Sequence, residues 1–528
     1  MSLLGIDVGT SGCKAAAFSE GGQLLALAYE EYDYQHPQPG WAELDARQVW
    51  ESVQRTIAQV AEQAQRDPVK ALSISSLGEA VVPVTRDREI LGASLLNFDV
   101  RGAEYLPELR LRLETSNGGS HATGLAGMSH GEAALGACTA DERLYGINGN
   151  TLGNQYSLTK LKWIQQHQPE LYQPTDHFLH WSGCVSFMLG AEALVDYSLA
   201  NRTLLFDLER RDWSDELFEL AQLERVKLPP AVPTGTIIGT VSPPIADRLG
   251  LPPKVAIVSG AHDQCCNGVG CGVIEAGRAM YGMGTYICMM PVFAQRREPL
   301  AMIERGLNTE HHAAPGRYVS FIYNHGGSMV KWFRDTFAPA ERARAKASGQ
   351  DVYAQLTAEM PDRPSSVLAL PHWGPTGPPE FIDDSCGVLL GLKLETTRGD
   401  ILKGLIEATT FYLRECLESL PATGIAIEDF RAVGGGSKSE AWLQIVADVM
   451  GRPVVRPQIN EAGVLGAAII AGAGCGVFPS LEAGVETMVK LGRTFEPDEA
   501  RRAQYDGRFA RYRQLWPLLR EYLRELNA

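Results

Sequence analysis

The chain has 528 residues and a formal net charge of −15, from 48 Lys and Arg against 63 Asp and Glu. At about 150 residues per domain, this length suggests roughly two to four domains. The acidic balance argues against a chain whose main task is gripping nucleic acid or an anionic membrane, since both favour a basic surface. A small anion held by backbone N–H groups stays open.

In chain order, the opening MSLLGIDVGT lacks the basic and apolar regions of a secretory signal. Residues 3–8 and 15–18 are short apolar runs around Gly9-Thr10-Ser11-Gly12, which predicts a hairpin whose tip exposes N–H groups. Residues 47–66 carry helical spacing (Val49, Trp50, Val53, Ile57, Val60) behind Asp45 as N-cap. Strands are expected at 69–75 and 80–84, and helices at 158–167 and 215–223. The Pro- and Gly-rich stretch 231–253 is taken as the boundary between a unit 1–252 and a unit 253–528.

Beyond that stretch the pattern restarts. An apolar run at 255–258 leads into Gly260-Ala261-His262-Asp263, and Gly282-Met283-Gly284-Thr285 lies between two apolar runs, an echo of the first tip. Residues 430–433 precede Gly434-Gly435-Gly436-Ser437 and a helical pattern from Glu440 to Met450; three glycines there let backbone approach a ligand closely. The C-terminal residues Phe509, Tyr512, Leu515, Leu518, Leu519, Tyr522 and Leu523 read as one closing helix packed on the body.

The longest apolar stretch, 464–473, is well short of the ~20 residues that span a bilayer. Ten cysteines are scattered along the chain, and His262, Cys265, Cys266 and Cys271 match no paired zinc-ligand spacing, so buried thiols are expected. A soluble, cytoplasmic protein is expected. Neither a Walker A sequence nor a clean GxGxxG occurs.

What remains is three Gly-rich turns, at 9–12, 282–285 and 434–436. In that order they resemble the FGGY family of carbohydrate kinases, members of the actin-like (ribonuclease-H-type) ATPase superfamily. GIDVGTSGCKAAAF resembles the first phosphate loop, AHDQCCNGVGCGV the catalytic-aspartate segment, YGMGTY the second phosphate loop, and VGGGSKSEAWLQIVADVMGRPV the adenosine segment. YSLTKLKWI, VDYSLANRTLLFDL and GVLLGLKLETTRGDILKGLIEA are weaker matches between them. The resemblance runs from residue 3 to about 475 and is xylulokinase-like. It implies an α/β fold of two actin-like (ribonuclease H-like) domains, each a mixed β-sheet flanked by helices, with the active site in the cleft between them.

The implied activity is ATP- and Mg²⁺-dependent phosphorylation of a small sugar, with a ketopentose of the xylulose or ribulose type as default. A polyol kinase is the alternative, followed by a non-catalytic actin-like ATPase or a sugar sensor. Asp263 matches the general base; the plain alternative is a helix N-cap. Asp7 matches the aspartate that holds Mg²⁺, or it braces a turn. Thr10, Ser11 and Lys14 would meet the phosphates from one side, Gly284 and Thr285 from the other. Gly327 and Lys331 align with nucleotide contacts, a buried helix start being nearly as good a reading. Gly435, Gly436 and Ser439 would frame the adenosine.

For the acceptor, the resemblance implies hydroxyl contacts from Glu79, Asp99 and Gln264, groups whose chemistry suits polyols. The turn 75–80 departs from the family: xylulokinases carry Met-His where Glu79-Ala80 stands, and the arginine of the Arg-Glu pair of glycerol kinases is Gly78. Asn97-Phe98-Asp99-Val100-Arg101 resembles a Trp-x-Asp-x-Arg run. The connection 101–148, with its Gly- and Ser-rich stretch 116–120, is long and is read as a lid, an oligomer contact or a surface insertion. A homodimer stays open. The segment 371–378 replaces the family's Gly-Glu-Arg-x-Pro run.

Overall fold

The computed structural model describes residues 1–115 and 139–527. The first hairpin forms as the sequence predicts, with Ser2–Val8 antiparallel to Gly12–Ser19 and Val8 opposite Cys13. It belongs to a six-stranded sheet ordered Ile237–Thr240, Ala256–His262, Val69–Ser76, Ser2–Val8, Gly12–Ser19, Leu24–Glu31. The three strands Ala256–His262, Val69–Ser76 and Ser2–Val8 run parallel; Ile237–Thr240 and Gly12–Ser19 beside them run antiparallel, and the edge strand Leu24–Glu31, antiparallel to Gly12–Ser19, returns to their direction.

The second sheet repeats this plan. Ile322–His325, Tyr286–Phe293 and Gly277–Met283 pair antiparallel; Gly277–Met283, Ile427–Val433 and Val454–Pro457 run parallel; Leu491–Phe495 closes antiparallel. The short Gly-Thr echo in the sequence is the trace of this duplicated pattern. Two mixed sheets with flanking helices make the expected two-lobed α/β architecture.

Period-two alternation sorts the first hairpin between two cores. Leu4, Ile6, Val8, Ala15 and Ala17 pack beneath the helices Ala46–Gln63 and Trp181–Leu189. Leu3, Ala16 and Phe18 face a second core shared with Met280, Met290 and Val292 of the other sheet. Between the sheets lie helices Asp263–Gly270 and Ala462–Gly474. They touch at glycine: a Cβ on Gly270 would stand 1.9 Å from the Ala462 carbonyl oxygen, and one on Gly466 1.9 Å from that of Cys266. Ala462–Gly474 contains the apolar run 464–473, which is buried as core. Among the described residues, no helix is long and apolar enough to cross a membrane.

Most predicted elements form, including Glu440–Met450 and Ala46–Gln63, whose Asp45 cap accepts from the N–H groups of Arg47 and Gln48 at 3.0 and 3.1 Å. Such a cap contributes about 1 kcal/mol.

Two expectations need correction. The stretch 231–253 does not separate the units at 252/253, because it joins two paired strands of the first sheet, Thr240 lying opposite Ala256. Its prolines start the helix Pro243–Leu249 and Gly250, at φ 67°, ends it, a placement that suits both residue types. The chain also ends in two helices, Glu499–Tyr512 and Leu515–Asn527. The first buries Tyr505, Phe509 and Tyr512; in the second, Leu523 is buried while Leu518 and Tyr522 are exposed. The stretch 116–120 of the long connection lies outside the described residues.

Candidate active site

The second sheet and its helices surround a cavity of about 1090 Å³. Gly284 and Thr285 reach it from the hairpin tip, Gly327 and Lys331 from the helix Gly327–Phe337, and Gly435, Gly436 and Ser439 from the segment before Glu440–Met450. Sequence reasoning chose all of these positions from widely separated segments, and the fold brings them to one wall. It missed the apolar part of the lining: Trp442, Tyr353, Val330, Ala354 and Trp332. Trp442 had been legible only as a core position of its helix. The altered segment 371–378 braces this wall from behind, Trp373 meeting Trp332 edge-on with ring centroids 5.2 Å apart.

The two hairpin tips are built alike. The Gly9 N–H donates to the Gly12 carbonyl at 3.0 Å and the Gly284 N–H to that of Tyr286 at 3.1 Å. These two N–H groups therefore close their turns and do not stand free, as the sequence reading expected of the tips. The tip carbonyls are also tied back. Tyr32 donates its hydroxyl to Gly9 O and its N–H to Ser11 O. Gly327 N–H donates to Gly284 O at 3.1 Å and Ser328 N–H to Thr285 O at 3.0 Å. Ser11, Gly284 and Thr285 remain exposed and Thr10 half-buried.

The lysines diverge. Lys14 binds Glu461 at 2.7 Å, so much of its charge is already neutralised within the protein. Lys331 is exposed on the cavity wall with no ion-pair partner among the described residues.

Asp7, near the end of Ser2–Val8, and Asp263, just past the end of Ala256–His262, are separated in the first sheet by the strand Val69–Ser76. Asp7, on Ser2–Val8, accepts from the Ser75 hydroxyl at 2.7 Å, and burial raises its pKa. Asp263 is the first helical residue of Asp263–Gly270; the cap position belongs to His262. Burial, reinforced by the negative charge of Asp7, pushes the Asp263 carboxyl from 3.8 up to about 7. Gln264 opposes this rise through its backbone N–H and side-chain amide, so it acts first on Asp263. His262 Nε2 lies 3.2 Å from Asp263 Oδ1, and burial holds its ring neutral.

Beside them is a polar cluster that the sequence showed only in part. Glu79 is buried and paired with Arg202, which also binds Glu310 at 2.6 Å. Arg202 and Glu310 were not singled out from the sequence; the one signal was that Arg202 is the lone basic residue of VDYSLANRTLLFDL.

Asp99 departs from expectation. Its carboxylate is wholly enclosed, binding Arg101 at 2.6–3.0 Å and the Ala42 N–H at 2.6 Å. Arg101 is further held by Glu43 at 2.8 Å and by the Trp41 ring at 4.1 Å. Both Asp99 oxygens are used, so it is a structural ion pair with no oxygen left for an acceptor. The thiols of Cys265, Cys266 and Cys271 are buried and donate to backbone carbonyls.

Comparison with known proteins bears on the family and the fold. Residues 2–129 and 133–270 match the family model for the N-terminal domain of the FGGY family of carbohydrate kinases, and 279–475 match that for its C-terminal domain. A Staphylococcus epidermidis protein named xylulose kinase is 25% identical, the match covering 99% of this chain and 98% of that protein. An autoinducer-2 kinase of an Enterobacter species is 27% identical, over 97% of this chain and 94% of that one. The crystal structure of xylulose kinase from Rhodospirillum rubrum superposes with a TM-score of 0.82 at 25% identity, covering 99% of this chain and 100% of its own.

Proposed function

This chain belongs to the FGGY family of carbohydrate kinases, and from that premise we propose that it transfers the γ-phosphate of ATP to a hydroxyl of a ketopentose of the xylulose or ribulose type. That it is a sugar kinase follows from the family. The pentose assignment leans on the relatives named xylulose kinase. The observation that carries the catalytic reading is the Asp263 carboxyl, raised to about 7 at the edge of a buried polar cluster.

Phosphoryl transfer to an alcohol is mostly positioning and electrostatic stabilisation. The cavity takes the adenosine against Trp442 and Tyr353, with Gly435, Gly436 and Ser439 beside it. Thr10 and Ser11 flank the phosphates from one tip, Gly284 and Thr285 from the other, and Lys331, with no ion-pair partner among the described residues, supplies a cation. Lys14 serves chiefly to tie the first tip to Glu461.

Asp263 accepts the proton of the acceptor hydroxyl as its oxygen bonds to the γ-phosphorus and the bond to the leaving ADP oxygen breaks. A base with a pKa near the working pH suits this task better than an ordinary aspartate. Mg²⁺ prefers one or two carboxylates along with water and phosphate oxygens. The half-buried Asp7, bonded to one serine hydroxyl and repelled by Asp263, fits that donor set. When bound, the ion would screen the charge of the phosphates.

A sugar alcohol is the second reading, favoured by Glu79 in the turn 75–80. A coupled ADP-release assay over ketopentoses, alditols and aldonates tests the assignment. Turnover of a ketopentose with the highest kcat/KM is expected; a preference for an alditol or an aldonate, or silence on every ketose, would overturn it.

A further inference from the structure

Arg202 caps the C-terminal end of the helix Tyr197–Asn201, and its guanidinium bridges two buried carboxylates. One terminal amino group donates to Glu79 Oε1, the other to Glu310 Oε1 at 2.6 Å. The three side chains are 13%, 6% and 1% exposed for Arg202, Glu79 and Glu310 respectively. Asn308 donates to Glu310 at 2.5 Å, and the rings of Tyr156 and Phe321 flank the guanidinium at 5.2 and 5.5 Å. The arginine is thus fixed from every side.

Two groups on this ion pair are left over. The Arg202 Nε–H is buried and has no partner among the described residues, while Glu79 uses only Oε1. Gly78 lets the backbone lie close beside Nε, since a Cβ there would stand 3.3 Å from Nε and 3.0 Å from His262 Nε2. His262 in turn lies 3.2 Å from the Asp263 carboxylate, and the Arg202 charge acts on Asp263. An unpartnered donor together with an unused acceptor oxygen on one ion pair is the complement of a hydroxyl group, which both donates and accepts. It is a poor complement to a carboxylate, which only accepts. Such an anion would also find both terminal amino groups of Arg202 already taken, and Glu79, Glu310 and Asp263 close by.

We propose that Arg202 is a specificity-determining residue of this kinase, offering Nε–H and the Glu79 Oε2 together to a hydroxyl of an uncharged polyhydroxyl acceptor and rejecting sugar acids. This rests on the sugar-kinase reading above and names the chemical class its acceptor site takes. Gly78 belongs to the same device, since any side chain there would press on Nε.

Steady-state kinetics of Arg202→Lys and Gly78→Ala, with the rise in thermal midpoint on adding ADP as a check on the nucleotide cavity, test this. Lysine keeps the charge but cannot bridge two carboxylates or supply Nε–H, so an acceptor KM raised at least ~10-fold is expected with ADP stabilisation intact. Gly78→Ala should raise the acceptor KM by roughly threefold or more, because the neighbours must give by a few tenths of an ångström. The unaltered enzyme should favour an uncharged acceptor over the matching aldonate by at least ~100-fold in kcat/KM. The proposal is overturned by an acceptor KM within twofold of normal in both variants. It is equally overturned by an aldonate used as well as the neutral sugar, or by loss of ADP stabilisation in Arg202→Lys beside a normal Gly78→Ala. An unaltered enzyme silent on the whole panel would instead remove the acceptor reading itself, and this inference with it.

Discussion

The cavity proposed for the nucleotide and the cluster before Asp263 solve opposite problems. The cavity encloses about 1090 Å³ and is lined by glycine, small residues and aromatic faces, with charged groups on its wall: Lys331 and Lys438, and the acids Asp335, Asp351 and Glu440. The cluster is filled with its own charges: Arg202 is shared between Glu79 and Glu310, and His262 abuts Asp263. The first region recognises by volume and backbone approach and has to stay open for a large ligand. The second recognises by pre-set donors and acceptors, and its polar groups hold one another in place when no ligand is present. A mutation that adds volume should therefore harm one region, and a mutation that changes charge should harm the other.

The largest expected effect short of losing the base itself is on pH. A base with a pKa of about 7 must be ionised to act, so kcat/KM should fall on the acid side with unit slope, about 100-fold two pH units below it. The groups facing this carboxyl are Asp7, which raises its pKa, Gln264 and Arg202, which lower it, and His262 at 3.2 Å, which burial keeps neutral. A profile that stays flat down to pH 5 would break the contrast by removing the perturbed carboxyl from the chemistry.

A volume test comes next. A Cβ on Gly435 meets nothing within 4 Å, so Gly435→Leu projects into the cavity without disturbing the fold. Initial-rate kinetics should show the KM for ATP raised on the order of 10-fold, while the KM for the acceptor stays unchanged. Equal changes in both would show that the two regions do not work separately.

The smallest effect is expected at Lys14. Its partner Glu461 and Lys14 itself are each about one-third exposed, and a solvated ion pair of this kind is worth roughly 0–1 kcal/mol. Lys14→Met should therefore change the KM for ATP by no more than about threefold. A much larger loss would return Lys14 to direct phosphate binding.

What the sequence made legible divides along the same line. Gly284, Gly327, Gly435 and Gly436 could be found because backbone approach demands glycine, and glycine between a strand and a helix is visible in one dimension. The cores of the hairpins were readable from period-two alternation. Ion pairs were not. Asp99 looked available because its pattern shows an acid near a base, but not that Arg101 and the Ala42 N–H use both of its oxygens. Lys14 finds its partner 447 residues away, and the Arg202 bridge joins segments at 79, 202 and 310.

The misplaced boundary has a different origin. Proline and glycine mark the ends of helices as readily as linkers between domains, and 231–253 used them for the former. For the closing segment, amphipathic spacing fixed the helical character but not which face is buried, so Leu518 and Tyr522 were expected in a core they do not join.

The most direct test of the central claim is a side-by-side measurement of ADP release and ADP affinity in Asp263→Asn. Losing the base should lower turnover by about 10²–10⁴-fold. ADP affinity should stay within about threefold of normal, because none of the groups lining the cavity has changed. Folding supplies an internal check. The raised pKa of Asp263 means that stability of the unliganded chain falls as pH rises from about 4 to about 7. Asparagine removes that charge, so the variant should melt no lower than the unaltered chain at pH 8. Turnover retained within tenfold, in a variant that binds ADP normally, would contradict the assignment of Asp263 as the base.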